Sequence, residues 1–273
     1  MRAKFALALV SLLMLASCSS LPINFAGDTA ASEGHDSHTT AHWSYDGDTG
    51  PEHWATLGDQ ASGSYELCAS GKLQSPIDIV DASSGDLANI ALHYQPSELI
   101  MKNNGHTVEV NYAAGGFIEI DQQQYTSANI HYHAPSEHTI NGKSFDAELH
   151  LVHARDLGDH QKEYAVIGLL LTVGAENQHY RVLLDNLPQK SGEEFRSQEK
   201  LDAADLLPST RTSYRYTGSL TTPPCSEGVH WNVMTTPVEL SAEQLASLKQ
   251  LFDHNSRPTQ DLAGREIVED TTP

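Results

Sequence analysis

Residues 165–173 read Ala-Val-Ile-Gly-Leu-Leu-Leu-Thr-Val, an apolar run without alternation. A strand exposed on one side would alternate, so this run predicts a strand buried on both faces. Around it lie segments that do alternate or are rich in β-branched and aromatic residues: 107–112, 117–120, 129–133, 146–153 and 229–235. Two helices are predicted. Residues 176–187 carry Leu183, Leu184 and Leu187 at helical spacing. Residues 241–252 open with Ser241 as N-cap and Gln244 three positions on, and present Leu245, Leu248 and Phe252 on one side. The fold class is mainly β (α+β): one large, twisted, mostly antiparallel sheet with short helices around it. No second linker interrupts residues 42–273, which are expected to form a single domain.

The amino-terminal region reads differently. Residues 1–17 have the pattern of an export signal, with Arg2 and Lys4 ahead of an apolar stretch broken only by Ser11. That stretch is shorter than the ~20 residues of a membrane-spanning helix. Leu15-Ala16-Ser17-Cys18 resembles a bacterial lipobox, in which the cysteine receives a lipid; the alternative is a plain secretory signal. Residues 18–41 are rich in Ser, Thr, Ala, Gly and Asp and read as a flexible tether. His35, His38 and His42 lie in this tether, either as solvated linker residues or as a metal-gathering arm. The expected location is exported, periplasmic or cell-surface, with membrane contact only through the lipid on Cys18. Disulfides persist in such compartments, so Cys68 and Cys225 either pair or are two separately buried thiols.

Charge and histidine content narrow the function. With 36 Asp+Glu against 16 Lys+Arg, the chain carries a formal charge of −20. Phosphate backbones would be repelled, so nucleic acid is excluded as a general partner. The chain has 15 histidines, nearly as many as Lys and Arg together, which directs attention to metal or proton chemistry. They concentrate in Asn129-Ile-His-Tyr-His133 and Glu148-Leu-His-Leu-Val-His153. Side chains two apart on a strand share a face, so His131 and His133 converge, and Glu148 and His150 do so on a second strand. His153 points the other way. If the strands pair antiparallel through the Asn141-Gly142 turn region, His150 comes opposite the first pair. Three neutral imidazoles on a rigid sheet suit Zn²⁺ with a fourth position open to water. Glu148 is placed to hold the second ring nitrogen of His150, and Asn129 that of His131.

These residues, with further segments, resemble the α-class carbonic anhydrases. The likeness runs from His42-Trp-Ser-Tyr45 and Gly50-Pro-Glu-His-Trp54 to Arg257-Pro258. Between them lie Gln74-Ser-Pro-Ile77, Asn103-Asn-Gly-His106, Ser136-Glu-His-Thr139 and Gly218-Ser-Leu-Thr-Thr-Pro-Pro224. The resemblance implies a ten-stranded sheet and a cleft with Zn²⁺ held by His131, His133 and His150. It implies reversible hydration of carbon dioxide to bicarbonate and a proton by a zinc-bound hydroxide. Thr221 would orient that hydroxide by donating its own proton to the buried carboxylate of Glu137, while its N–H meets a substrate oxygen. Thr222 would order cleft water. His106 would be the proton shuttle, with Tyr45 and Asn104 as partners in the water network. Val152, Val166, Leu220 and Trp231 would line the apolar pocket for carbon dioxide. The resemblance also implies a Cys68–Cys225 disulfide and marks Ser75-Pro76 and Pro223-Pro224 as candidates for cis bonds.

Two positions depart from the family pattern. Asn129 stands where Gln is often found, one methylene shorter, and is expected to reach His131 less well or only through water. Glu109 stands where a neutral amide is usual, and is expected to add negative charge near the site and to favour protonated His106. Alternative readings are a carbonic-anhydrase-like binding module without catalysis, a zinc esterase, and a zinc carrier using the histidine-bearing tether.

Overall fold

The predicted doubly buried strand forms the spine of the molecule. In a computed structural model that describes residues 42–58, 64–112 and 116–272, residues 165–171 are buried without a break. The export signal, Cys18 and the tether with His35 and His38 lie outside the described residues. His42 does not: its ring stacks on His106, so it belongs to the folded body rather than to a linker.

The strands are β1 (Asp78–Ile79), β2 (Ser83–Gly85), β3 (Ala91–His93), β4 (Ser97–Asn103) and β5 (Val108–Asn111). Then follow β6 (Phe117–Ile120), β7 (Gln123–His133), β8 (Thr139–Ile140), β9 (Ala147–Gly158) and β10 (Gln161–Val173). The last five are β11 (Glu194–Leu201), β12 (Ser213–Ser219), β13 (Glu227–Met234), β14 (Val238–Leu240) and β15 (Val268–Asp270). Ten of them make one continuous ladder, β11-β4-β5-β7-β9-β10-β13-β12-β15-β2. β14 adds to β10, β6 to β7 and β3 to β6, which brings the sheet to thirteen strands. Most pairings are antiparallel, but β10 runs parallel to both β13 and β14. Apolar layers cover both faces over residues 165–171, which explains why that stretch lacks polar alternation.

The sheet separates two apolar layers. One holds Leu149, Leu151, Ile167, Leu169 and Leu171 together with Leu183, Leu184, Leu245 and Leu248 from the helical segments. The other holds Val152, Val166, Leu170, Tyr216, Val229, Trp231 and Val233. The helix expected at 241–252 is present as Ala242–Leu251, with Ser241 and Gln244 closing both halves of the capping box. The helix expected at 176–187 is much shorter. A 3₁₀ turn at Gln178–Tyr180 leads into one helical turn at Arg181–Leu184, and Leu183, Leu184 and Leu187 are all buried. Pro188 explains the early end, since the residue before a proline is pushed out of the helical region. Among the described residues no helix is long and apolar enough to cross a membrane.

Candidate active site

The antiparallel register of β7 and β9 places His131 directly opposite His150 and His133 opposite Glu148. Asn141 and Gly142, with φ of +51° and +73°, form the turn in the intervening connection; glycine suits the second position because a positive φ costs it nothing. His131, His133 and His150 thereby each offer one ligand atom within 4.8 Å of the others.

Which nitrogen each ring offers is decided by what holds the other. The Nδ1–H of His131 donates to Asn129 Oδ1 at 2.8 Å. The shorter side chain therefore reaches the ring directly, and the expectation of weak or water-mediated contact is corrected. The Nδ1–H of His133 donates to the Asn255 carbonyl at 2.6 Å, and the Nε2–H of His150 donates to Glu148 Oε1 at 2.9 Å. Nε2 of His131, Nε2 of His133 and Nδ1 of His150 are left as the ligand atoms; His133 Nε2 is buried without a hydrogen-bond partner. Burial is the first cause, and neighbouring histidines a further one, that lowers the pKa of all three rings, so they stay neutral. Three neutral nitrogen donors, each with its other nitrogen fixed, fit a zinc ion. A second group, His138 with Glu148 and His150, is already spent internally: His138 Nδ1–H donates to Glu148 Oε1 at 2.7 Å and Tyr216 O–H donates to its Nε2 at 2.6 Å.

Glu148 is fully buried and accepts four hydrogen bonds. Besides the two rings, the N–H groups of Glu137 and His138 donate to its Oε2 at 3.0 and 2.8 Å. Burial alone would raise its pKa, but His138, His150 and their hydrogen bonds outweigh it and hold the carboxyl well below its ordinary value. Glu137 is tuned the other way. Burial pushes it up to about 7, against the pull of His150, the Arg257 N–H and the Thr221 hydroxyl. The Arg257 N–H donates to Glu137 Oε1 at 2.8 Å, and Oε2 faces His133 Nε2 at 3.5 Å.

Thr221 is buried, and Thr222 beside it accepts the Cys225 N–H at its carbonyl. Cys68 and Cys225 are disulfide-bonded, 157 residues apart, which ties this loop to the amino-terminal segment. Buried Arg257 reinforces the junction by donating to Gln74 Oε1, Ser75 O and Cys68 O. Ser75-Pro76 and Pro223-Pro224 are both cis, as is Ala134-Pro135, which the sequence did not flag. Val152, Val166 and Trp231 share one apolar cluster with Leu220 packed against it, and the Trp231 ring lies 4.9 Å from that of His150.

At the other side Tyr45 is buried with its ring 6.5 Å from both His133 and His106. Asn104 is exposed, and its Oδ1 accepts the N–H groups of His106 and Thr107, both at 2.9 Å. Glu109 pairs with His131 across β5 and β7 and so shares its face. Burial raises its pKa, against Lys102, which lowers it. His106 is lowered to about 4 by burial and then by His42, the opposite direction from the one expected of a neighbouring carboxylate.

A profile of the eukaryotic-type carbonic anhydrases matches residues 49–271. The chain belongs to the carbonic anhydrase family, in its α class. A carbonic anhydrase of a Nostoc species is 42% identical over 238 residues, covering 84% of this chain and 86% of the relative. One from Neisseria gonorrhoeae is 37% identical over 237 residues, with 86% and 90% covered. Among solved structures, the Thermovibrio ammonificans α-carbonic anhydrase in complex with the inhibitor sulfanilamide superposes with a TM-score of 0.78 at 40% identity, covering 84% of this chain and 99% of that one. As a carbonic anhydrase the enzyme interconverts carbon dioxide and bicarbonate, and the reading as a non-catalytic module is set aside. Sequence reasoning missed Asn255 and His138 as supports of this site. Asn255 lies 122 residues from His133, and only its neighbourhood to Arg257-Pro258 hinted at a role.

Proposed function

We propose that the enzyme hydrates carbon dioxide with a zinc ion held by His131, His133 and His150. The observation that carries this is the set of three converging imidazoles, each with its second nitrogen fixed by Asn129, Asn255 or Glu148. Bound zinc supplies Lewis acidity, which makes water nucleophilic at neutral pH. The chain's own residues do the rest. Thr221 accepts a hydrogen bond from the attacking water and donates its own to Glu137, which orients a lone pair toward the carbon. The Thr221 N–H meets a substrate oxygen, and Thr222 orders water. Val152, Val166, Leu220 and Trp231 offer apolar walls to an uncharged gas. His106 carries the product proton outward with Tyr45 at its side.

Residues 42–273 are the catalytic domain in this reading, carried by an 18–41 tether after removal of signal 1–17, with lipid on Cys18. Export to the periplasm or cell surface accords with the disulfide. Two measurements test the proposal. Metal analysis with stopped-flow hydration should give one zinc per chain and activity that chelation removes and zinc restores. Activity that survives complete loss of zinc would defeat it. A Cys18→Ser variant should move from the membrane to the soluble fraction, and an unchanged distribution would count against the anchor.

A further inference from the structure

The strand buried on both faces carries a glycine at its centre. Gly168 interrupts the apolar run of β10, where it adds no side-chain surface and weakens the strand. Its φ is not positive, so the backbone conformation does not call for glycine. The reason lies on the neighbouring strands. On the cleft face β10 presents Val166, Gly168 and Leu170 opposite Val152, His150 and Glu148 of β9. On its other side Gly168 is level with Val233 of β13. A Cβ at position 168 would stand 3.0 Å from Glu148 Oε1, 3.4 Å from Val233 Cγ2 and 3.8 Å from Trp231 Cζ3. The second and third are ordinary van der Waals contacts; the first is too close.

We propose that Gly168 is a positioning residue for the metal site: the side chain it lacks leaves the space in which the Glu148 carboxylate sits. This rests on the reading of His150 as a zinc ligand. Oε1 is the oxygen that accepts from both His150 and His138, at 2.9 and 2.7 Å. It has no free swing away from an added methyl. Oε2 is tied to the N–H groups of Glu137 and His138, and Glu148 is completely buried. The Trp231 ring packs against both imidazoles, with centroids 4.9 Å from His150 and 4.7 Å from His138, which leaves them little room to follow. A methyl at 168 therefore pushes Oε1 off the ring nitrogens it fixes. His150 then loses the partner that turns its Nδ1 toward His131 and His133.

The test measures the zinc dissociation constant of the full chain by competition with a chelator of known affinity. Gly168→Ala is made alone, in Glu148→Asp and in Val233→Ala. Asp is one methylene shorter and draws the carboxylate back from the added methyl. Alone, Gly168→Ala should weaken zinc about tenfold, as loss of a ligand's hydrogen-bond partner does. Made in Glu148→Asp, it should weaken zinc less than about twofold relative to Glu148→Asp itself. Made in Val233→Ala, it should still weaken zinc about tenfold relative to Val233→Ala. Imidazole NMR of the metal-free chain should show the ring N–H signals of His138 and His150 displaced in Gly168→Ala. Unchanged zinc affinity in Gly168→Ala, an equal loss with Glu148 and with Glu148→Asp, relief by Val233→Ala, or undisplaced N–H signals overturns the proposal. If Gly168→Ala does not fold, Glu148→Asp must restore folding, and failure to restore it overturns the proposal as well. A parent that takes up no zinc defeats the zinc reading instead, and the N–H signals of the metal-free chain then decide the role of Gly168.

Discussion

His150 and His153 lie three residues apart on β9 and are equally buried, at 1% exposure each, yet they serve opposite faces of the sheet. His150 gives one nitrogen to Glu148 and keeps the other for the cluster with His131 and His133. His153 spends both: its Nδ1–H donates to the Ala165 carbonyl at 3.2 Å and its Nε2 accepts the Tyr94 O–H at 2.9 Å. Depth and residue type are the same. What separates a candidate ligand from a core strut is whether a nitrogen is left over once the protein's own hydrogen bonds are made.

The largest expected effect lies on the cleft face. His150→Ala should bind zinc poorly and hydrate carbon dioxide no faster than background; full activity would break the comparison. On the opposite face Leu151→Ala, at a site 1% exposed, should cost about 2–5 kcal/mol of stability through the cavity it leaves. Denaturant titration would measure it, and activity per folded molecule should stay near that of the parent.

His153 sharpens the contrast through pH. Burial lowers it to about 4 from the ordinary 6.5, so the unfolded chain binds this proton more readily than the folded one. Its contribution is fully present above pH 6.5 and is lost as pH falls toward 4, on the order of 3 kcal/mol across that window. Denaturant midpoints at pH 7, 5.5 and 4 should decline accordingly, and His153→Gln should flatten the decline. A parent whose stability does not change over this window would exclude the assignment. The smallest effect is expected at Asn129. Its loss in Asn129→Ala should weaken zinc about tenfold, as removal of a ligand's hydrogen-bond partner does; competition with a chelator of known affinity would show it.

Much of this was readable along the chain because the sheet's period is two. His131, His133, Glu148 and His150 were assigned to one face and His153 to the other from spacing alone. The disulfide, the proposed apolar wall and the roles proposed for Thr221, Glu137 and His106 needed the family likeness, since nothing in their local sequence points to one another. Asn255 and Arg257 escaped both routes as supports: the Asn255 carbonyl fixes His133 across 122 residues, and the Arg257 N–H fixes Glu137 across 120. Short-range patterns carry no trace of contacts between segments so far apart. The failed helix at 176–187 has a different cause. Leucines at helical spacing report a buried face, which a 3₁₀ turn and one helical turn satisfy equally well before Pro188.

The amino-acid sequence by itself determined which residues share a face, where the doubly buried strand lies and which donor types are available, because alternation and hydrophobicity are local properties. Only the tertiary structure decided which nitrogen each histidine keeps, that Asn129 reaches His131 directly, and that His42 lies against His106 rather than in a linker. Those outcomes depend on hydrogen bonds and ring contacts to partners brought together by folding, and a side chain's chemistry is set by the partners it finds there.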